Sequence, residues 1–462
     1  MAHTDASREA LDPPRGSPPS RGTAAPDRWT GDVPEMTGDF RRDWARASAH
    51  LRAGADLPAG PAAGRAGRQA VHESCRTTRM RFMAAHAERV YDELTDGRRA
   101  HPRLDAVAYA AAELFPGLTP TREQIARDRR VMQGEKDGWE LDQGILFWGL
   151  LSAPDAGRHL MRAMLRPTPQ ATGMAAEFAR SGKAEFGTVT LERRGGVGHV
   201  TVRNERFLNA EDDAVVGDLE AAVDLALLDD GVEVGVLRGA TMSHPRYAGR
   251  RVFNSGINLT HLYQGRISFL DFLLRRELGY INKIVRGLDR PEEPRAQFPP
   301  RHEKPWIGAV DTFAIGGGTQ ITLVLDWVVA TKDAYFSLPA MREGIVPGAA
   351  AFRLHRMIGS RPARQAIFGD RRIDADGPEG QLLCDQVVAD SEMDATVEAA
   401  AARLRGPAAV VNRRMMRVVE EPLDLFREYM ASYALEQSRL LYSRELIGNL
   451  ERMWIGRSRR SA

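Results

Sequence analysis

The chain has 462 residues, with 43% hydrophobic and 27% charged side chains, enough to bury a large core divided into two to four units. Its 64 Lys+Arg stand against 62 Asp+Glu, a balance that excludes a wholesale polyanion binder, so no nucleic-acid partner is expected. Two distant cysteines, Cys75 and Cys384, and scattered histidines make no zinc, iron–sulfur or disulfide spacing. This argues against a metalloprotein and for a reducing cytoplasm.

Residues 1–37 are rich in Pro, Gly, Arg and Ala and lack the apolar core of a signal peptide; they are expected to be a disordered tail. The most apolar stretch, 321–330, is too short to cross a bilayer and contains Asp326, so no membrane partner is expected. Residues 38–185 read as an N-terminal helical domain. Within 72–94, Met80, Phe82, Met83, Val90 and Leu94 recur at helical spacing, and 139–151 and 160–165 are further apolar stretches.

The period changes near Phe186. Residues 188–192 and 199–203 alternate and are β-branched, and the Gly-rich turn between them predicts a hairpin. An amphipathic helix is expected over 211–228, a buried strand over 232–237 and a long helix over 268–288. Strands follow at 306–310 and 327–331, helices at 350–358 and 361–368, and a short strand at 384–389. Recurrent strand–turn–helix units are the α/β signature, and 186–405 are assigned to that core. Residues 406–462 read as a C-terminal helical arm, with Phe426, Tyr429, Met430, Tyr433, Leu440 and Leu441 available to dock on its own core or a neighbouring subunit.

Two turns stand out for chemistry, Phe253-Asn-Ser-Gly-Ile-Asn-Leu and Ala314-Ile-Gly-Gly-Gly-Thr-Gln. Glycine lets a ligand approach the backbone, and a helix start leaves N–H donors unpaired. Two such donors converging on one point form an oxyanion hole. Taken singly, each turn is equally compatible with tight packing, and neither is a Walker loop or a dinucleotide fingerprint. No Gly-x-Ser-x-Gly elbow occurs, and Ser255 has no recognisable His partner, which weighs against a serine hydrolase.

In order along the chain, Phe207-Leu-Asn-Ala, Phe253-Asn-Ser-Gly-Ile-Asn-Leu, Lys304-Pro-Trp-Ile-Gly-Ala-Val with Gly316-Gly-Gly, Phe336-Ser-Leu-Pro with Gly344-Ile-Val-Pro-Gly, and Arg353-Leu with Ile358-Gly resemble the crotonase (enoyl-CoA hydratase/isomerase) superfamily. The resemblance implies a spiral of ββα turns, a homo-oligomer (a trimer or a dimer of trimers) and an acyl-CoA substrate whose enolate is held by the backbone N–H groups of Ile257 and Gly317. Where hydratases of the family carry two glutamates, this chain has Gln320 and Ala340, and neither side chain can act as a general base.

Over nearly its whole length the chain resembles the branch of this superfamily that oxidises a dihydroxyphenylacetyl-CoA with O2. That resemblance implies no metal or organic cofactor, an aryl glyoxylate and free coenzyme A as products, and a place in dihydroxyphenylglycine formation for glycopeptide-type antibiotics. It implies that Glu211 and Arg276 bind the ring hydroxyls, that Gln320 borders the site, and that Ile345 lines an apolar pocket admitting O2. Ser255, Gly256 and Gly316 are expected to contact substrate. Arg246 and Tyr247, in a loop with Arg250 and Arg251, either hold the phosphates or adenine of CoA or belong to a solvated loop. The base that removes the α-proton is not evident in the sequence. Competing readings are another crotonase-type reaction (thioester hydrolysis, isomerisation or decarboxylation) and a non-catalytic CoA-binding scaffold.

Overall fold

The structure is a computed structural model that describes residues 32–55, 64–290 and 302–461, without the side chains of 64–68 and 454–461. The expected tail over 1–37 therefore lies outside the described residues up to residue 31. The first part of the chain is helical: α1 (Phe40–Ala55), α2 (Gly64–Leu94), α3 (Leu104–Leu114), α4 (Arg122–Asp128), α5 (Trp139–Ser152), α6 (Pro154–Met164) and α7 (Pro169–Ser181). Local chemistry sets these boundaries. Thr121 and Gln124 form a reciprocal capping box at α4, prolines open α6 and α7, and Gly182 ends α7 in the left-handed region at φ 68°. Helix α5 is apolar nearly all round and runs through the middle of this region, packed against α2.

Ten strands follow: β1 (Lys183–Glu185), β2 (Val189–Arg194), β3 (Val197–Val202), β4 (Val234–Gly239), β5 (Trp306–Val310), β6 (Phe313–Ile315), β7 (Trp327–Thr331), β8 (Tyr335–Ser337), β9 (Ile373–Asp374) and β10 (Gln386–Val388). Interleaved with them are α8 (Asp213–Leu228), α9 (Leu259–Tyr263), α10 (Asn282–Arg286), α11 (Gly317–Thr322), α12 (Ala340–Glu343), α13 (Ala350–Ile358) and α14 (Ser360–Phe368). After them come α15 (Met393–Leu404), α16 (Pro407–Glu420), α17 (Leu423–Leu440) and α18 (Arg444–Ser461).

The larger sheet has the order β1-β2-β3-β4-β5-β7-β10, parallel from β3 to β10, and the smaller one the order β6-β8-β9. Register carries Leu191 beside Val200, Val200 beside Leu237, Leu237 beside Gly308 and Gly308 beside Val328. Because side chains alternate along a strand, this row faces one side. There Leu191, Val200, Leu237 and Val328 join the main core, which continues into the N-terminal helices. The opposite row, Val234, Val236, Ile307, Ala309 and Val329, packs on Met393, Val397, Ala400 and Ala401 of α15.

The hairpin, the strands at 306–310 and 327–331 and the helices after Ala350 match the expectations from sequence. Three expectations change. The helix expected from 211 begins at Asp213 with Asp212 as its cap, so Glu211 is extended backbone paired with Ile257 rather than part of the first helical turn. The helix expected over 268–288 is π-wound over Phe269–Leu274 and Glu277–Ile281, and departs from helical geometry at Gly279 (φ −93°, ψ −110°). The C-terminal arm over 406–462 divides into the three helices α16, α17 and α18, and of the two docking partners left open for it, α17 takes α5 and α6 of the same chain.

Candidate active site

Two loops meet above the start of α11. Asn254 and Ala314 pair across them, Ile315 N–H donates to the Asn254 carbonyl at 3.0 Å, and Gly256 N–H is turned inward by the Asn254 side chain at 2.7 Å. Gly256 (φ +90°) and Gly316 (φ +52°) both occupy the left-handed region. A Cβ on Gly256 would lie 3.2 Å from the Ile315 carbonyl oxygen, and one on Gly316 would lie 3.4 Å from the Gly256 Cα, so the two loops pass closely where both residues are glycine. The residues that follow them, Ile257 and Gly317, line one pocket, and the N–H of neither donates to a partner among the described residues. Two unpaired amides on one pocket wall are able to hold a developing oxyanion.

Arg276 lines the same pocket beside Gly317 and is buried. Its Nε donates to both carboxylate oxygens of Glu211 at 3.1 and 3.2 Å, Nη1 donates to Glu277 at 2.6 Å and to Gln320 Oε1 at 2.7 Å, and Nη2 donates to the Gly317 carbonyl at 2.7 Å. Burial opposes the Arg276 charge, but Glu211, Tyr280 and Glu277 outweigh it and hold its pKa above the ordinary arginine value. Tyr280 donates its hydroxyl to Glu211 Oε1 at 2.5 Å, and burial pushes the Tyr280 pKa well up. The neighbouring Arg275 turns away to Glu220 at 2.6 Å, so one arginine of the pair faces the pocket.

The remaining wall is formed by Phe272, Leu273, Leu338, Pro339, Ala340 and Glu343, with Ile345 to Gly348 and Tyr433. Helix α17 fixes the 345–348 loop: Val346 N–H donates to Gln437 at 2.8 Å, and the Tyr429 hydroxyl donates to the Gly348 carbonyl at 2.5 Å. Free space for water-sized molecules is about 40 Å³. Among the described residues, no cluster of three or more His, Cys, Asp or Glu side chains could hold a metal ion, and no helix is long and apolar enough to cross a membrane.

The pocket thus brings together Glu211, Ile257, Arg276, Gly316, Gly317, Gln320 and Ile345. It leaves out four other expected contacts. Ser255 donates to the Phe207 carbonyl at 3.0 Å, and Gly256 supports the turn from behind. Tyr247 packs on Phe313 with ring centroids 5.4 Å apart, and the exposed Arg246 lies 5.5 Å from the Tyr247 ring. Of their neighbours, Arg250 pairs with Asp333 at 2.5 Å and Arg251 donates to the Gly239 carbonyl at 3.2 Å. Sequence reasoning missed Tyr280, Glu277, Glu343 and Tyr433 as wall or network residues. Tyr280 had a local signal, being four residues from Arg276 and hence a helical neighbour; the arm residue Tyr433 had none.

The Enoyl-CoA hydratase/isomerase family model matches residues 300–441. The chain is 54% identical over 378 residues to the (3,5-dihydroxyphenyl)acetyl-CoA 1,2-dioxygenase of Amycolatopsis orientalis, covering 82% of this chain and 86% of that one. It is 28% identical over 264 residues to a probable enoyl-CoA hydratase of Rhizobium meliloti (strain 1021), covering 55% of this chain and 93% of that one. Among solved structures, an enoyl-CoA hydratase from Mycobacterium avium subsp. paratuberculosis K-10 is similar at 22% identity and a TM-score of 0.48, covering 58% of this chain and 99% of that one. The chain belongs to the enoyl-CoA hydratase/isomerase (crotonase) superfamily and is an enzyme of its oxidoreductase branch.

Proposed function

We propose that the enzyme is a dioxygenase converting (3,5-dihydroxyphenyl)acetyl-CoA and O2 to (3,5-dihydroxyphenyl)glyoxylate and coenzyme A, with no metal or organic cofactor, in dihydroxyphenylglycine formation for glycopeptide-type antibiotics. The observation that carries this reading is the extent of the likeness to the Amycolatopsis enzyme, 378 residues, far more than the core over 186–405 supplies. A cytoplasmic homo-oligomer, trimeric or a dimer of trimers, belongs to the same proposal.

The site chemistry supports it. Loss of the α-proton gives a carbanion delocalised into ring and carbonyl, and its charge on the thioester oxygen falls to the Ile257 and Gly317 amides; one such donor is typically worth roughly 10²–10³ in rate. An arginine has five N–H donors. Those of Arg276 are committed to Glu211, Glu277, Gln320 and Gly317 except for one on Nη2. Among the described residues Glu211 Oε2 accepts only from Arg276, whereas Oε1 also accepts from Tyr280. One free donor beside one under-used acceptor suits two phenolic hydroxyls. The carbanion then gives an electron to O2, the radical pair combines to a peroxide at the α-carbon, the peroxide attacks the carbonyl and expels the thiolate, and loss of the second α-hydrogen as a proton with cleavage of the O–O bond leaves the α-keto acid. Ile345, Leu273 and Phe272 keep water from this step.

The test is turnover under 18O2 after chelator treatment. Two labelled oxygens in the glyoxylate are expected. Equal turnover under nitrogen would sink the reading and favour a hydrolase, isomerase or decarboxylase.

A further inference from the structure

Three carboxyl groups line the pocket: Glu211, Glu277 and Glu343. Two are neutralised. Glu211 is held by Arg276 and Tyr280, and Glu277 by Arg276 at 2.6 Å with Arg353 at 3.6 Å. The third, Glu343, is only 8% exposed, and among the described residues no hydrogen bond or ion pair reaches its carboxyl group, whose oxygens are not among the fully enclosed unpaired atoms. Drawing a carboxylate largely out of water without a charged partner is costly, and a side chain kept in that state at the wall of a pocket is a candidate for chemistry there.

Its position supplies one. Glu343 lies at the end of α12, one turn after Ala340, so the two side chains share a helix face. Ala340 is where hydratases of the superfamily carry a catalytic glutamate. The methyl group there clears the ground that such a glutamate would fill, and the carboxylate is supplied from one turn further on. We propose that Glu343 is the general base that removes the α-proton of the arylacetyl thioester.

This rests on the dioxygenase reading of the same pocket. The Glu343 carboxylate takes the proton from the α-carbon, and the C–H electron pair becomes the enolate pair, with its charge at the Ile257 and Gly317 amides. The proton stays on Glu343 until the departing thiolate collects it. A base works best with a pKa near the working pH. Burial pushes the Glu343 carboxyl up to about 7, opposed by Arg342 on its own helix and reinforced by Asp370 beyond α14. Helix α18 presents Leu446 and Asn449 to the adjoining Gly344, and α17 presents Tyr433 to the pocket.

The test compares the full-length wild type with Glu343→Gln and Glu343→Asp. Three quantities are read: substrate Kd, kcat/KM for O2 uptake against pH, and deuterium wash-in at the α-carbon in D2O under nitrogen. In the wild type, kcat/KM should fall as pH drops through about 7. Glu343→Gln should bind substrate with wild-type Kd, lose about 10²- to 10⁴-fold in kcat/KM and lose that acid limb. Glu343→Asp should keep the limb at a reduced rate. A Glu343→Gln enzyme within about threefold of wild type, or one that keeps the same acid limb, overturns the assignment. Should the wild type take up no O2, the dioxygenase reading fails by itself, and α-proton exchange, abolished or kept in Glu343→Gln, still decides the role of Glu343.

Discussion

A methyl group on Gly317 would overlap the carboxylate of Glu211, so the amide proposed to hold the oxyanion and the acid proposed to bind the ring are in contact through a missing side chain. The same methyl would stand 3.1 Å from Arg276 Nη2. Gly317→Ala should therefore push Glu211 off Arg276 and cost at least about 10²-fold in turnover, comparable to losing an oxyanion donor. The check is kcat alongside thermal melting. A folded Gly317→Ala enzyme with wild-type kcat would separate the two groups functionally.

Among the described residues Arg276 is the only cation on Glu211, and it also serves Glu277, which lies within reach of Arg353. Arg276→Met strands a buried carboxylate and should destabilise the protein by about 3–5 kcal/mol in urea unfolding. Adding Glu211→Gln to Arg276→Met should return part of that loss, a coupling that a double-mutant cycle measures. Arg276→Lys should not rescue, because an ammonium cannot span Glu211, Gln320 and the Gly317 carbonyl at once.

Glycine in mid-helix ordinarily costs about 1 kcal/mol against alanine. At Gly144 in α5 the sign should reverse. A Cβ there would lie 2.5 Å from Ser438 Cβ and 2.9 Å from the Ala434 carbonyl, both on α17. Gly144→Ala should thus destabilise by about 1–3 kcal/mol. It should also lower kcat, because α17 holds the 345–348 loop through Gln437 and Tyr429. A raised melting temperature would contradict this account of the helix contact.

The raised pKa of Glu343 has a stability counterpart. Its folded-state value of about 7 stands above the ordinary value of 4.5, so the folded state binds the proton more tightly than the unfolded chain. The resulting stability is present below pH 4.5 and is lost as pH rises through about 7. Glu343→Gln removes the loss. The variant should be more stable than wild type at pH 8 by on the order of 3 kcal/mol, with the gap closing towards pH 4.5. Denaturant unfolding at the two pH values checks it. A variant less stable than wild type at pH 8 would mean that Glu343 is satisfied in the fold.

Sequence patterns revealed those parts whose cause is local. The runs at 306–310 and 327–331 are strands because β-branched and apolar residues fill both faces of a parallel sheet. The two Gly-rich turns were legible because glycine frees the backbone at Gly256 and Gly316, whereas the assignment of the donors to Ile257 and Gly317 came from the family resemblance alone. Strands β6, β8 and β9 have three residues or fewer, too short to show alternation. The π-winding around Arg276 leaves no mark in hydrophobic spacing. The isolation of Glu343 cannot be read from a chain in which Arg342 is its immediate neighbour, because the Arg342 side chain points to Asp370 at 3.7 Å. Tyr433 reaches the pocket only through the docking of α17 on α5, a contact between the two ends of the chain.

That docking also bears on how the enzyme is made. The hydrogen bond from Arg427 Nη1 to the Leu151 carbonyl joins residues 276 apart. Helix α5 leaves the ribosome early, yet its apolar surface waits for α17 until nearly all of the strand core has been translated. Contacts of such separation slow folding and leave greasy surface uncovered in the meantime. Nascent chains halted between α5 and α17 should therefore be the species that chaperones capture and that aggregate on overexpression, and the pocket, lacking Tyr433, cannot be complete in any of them.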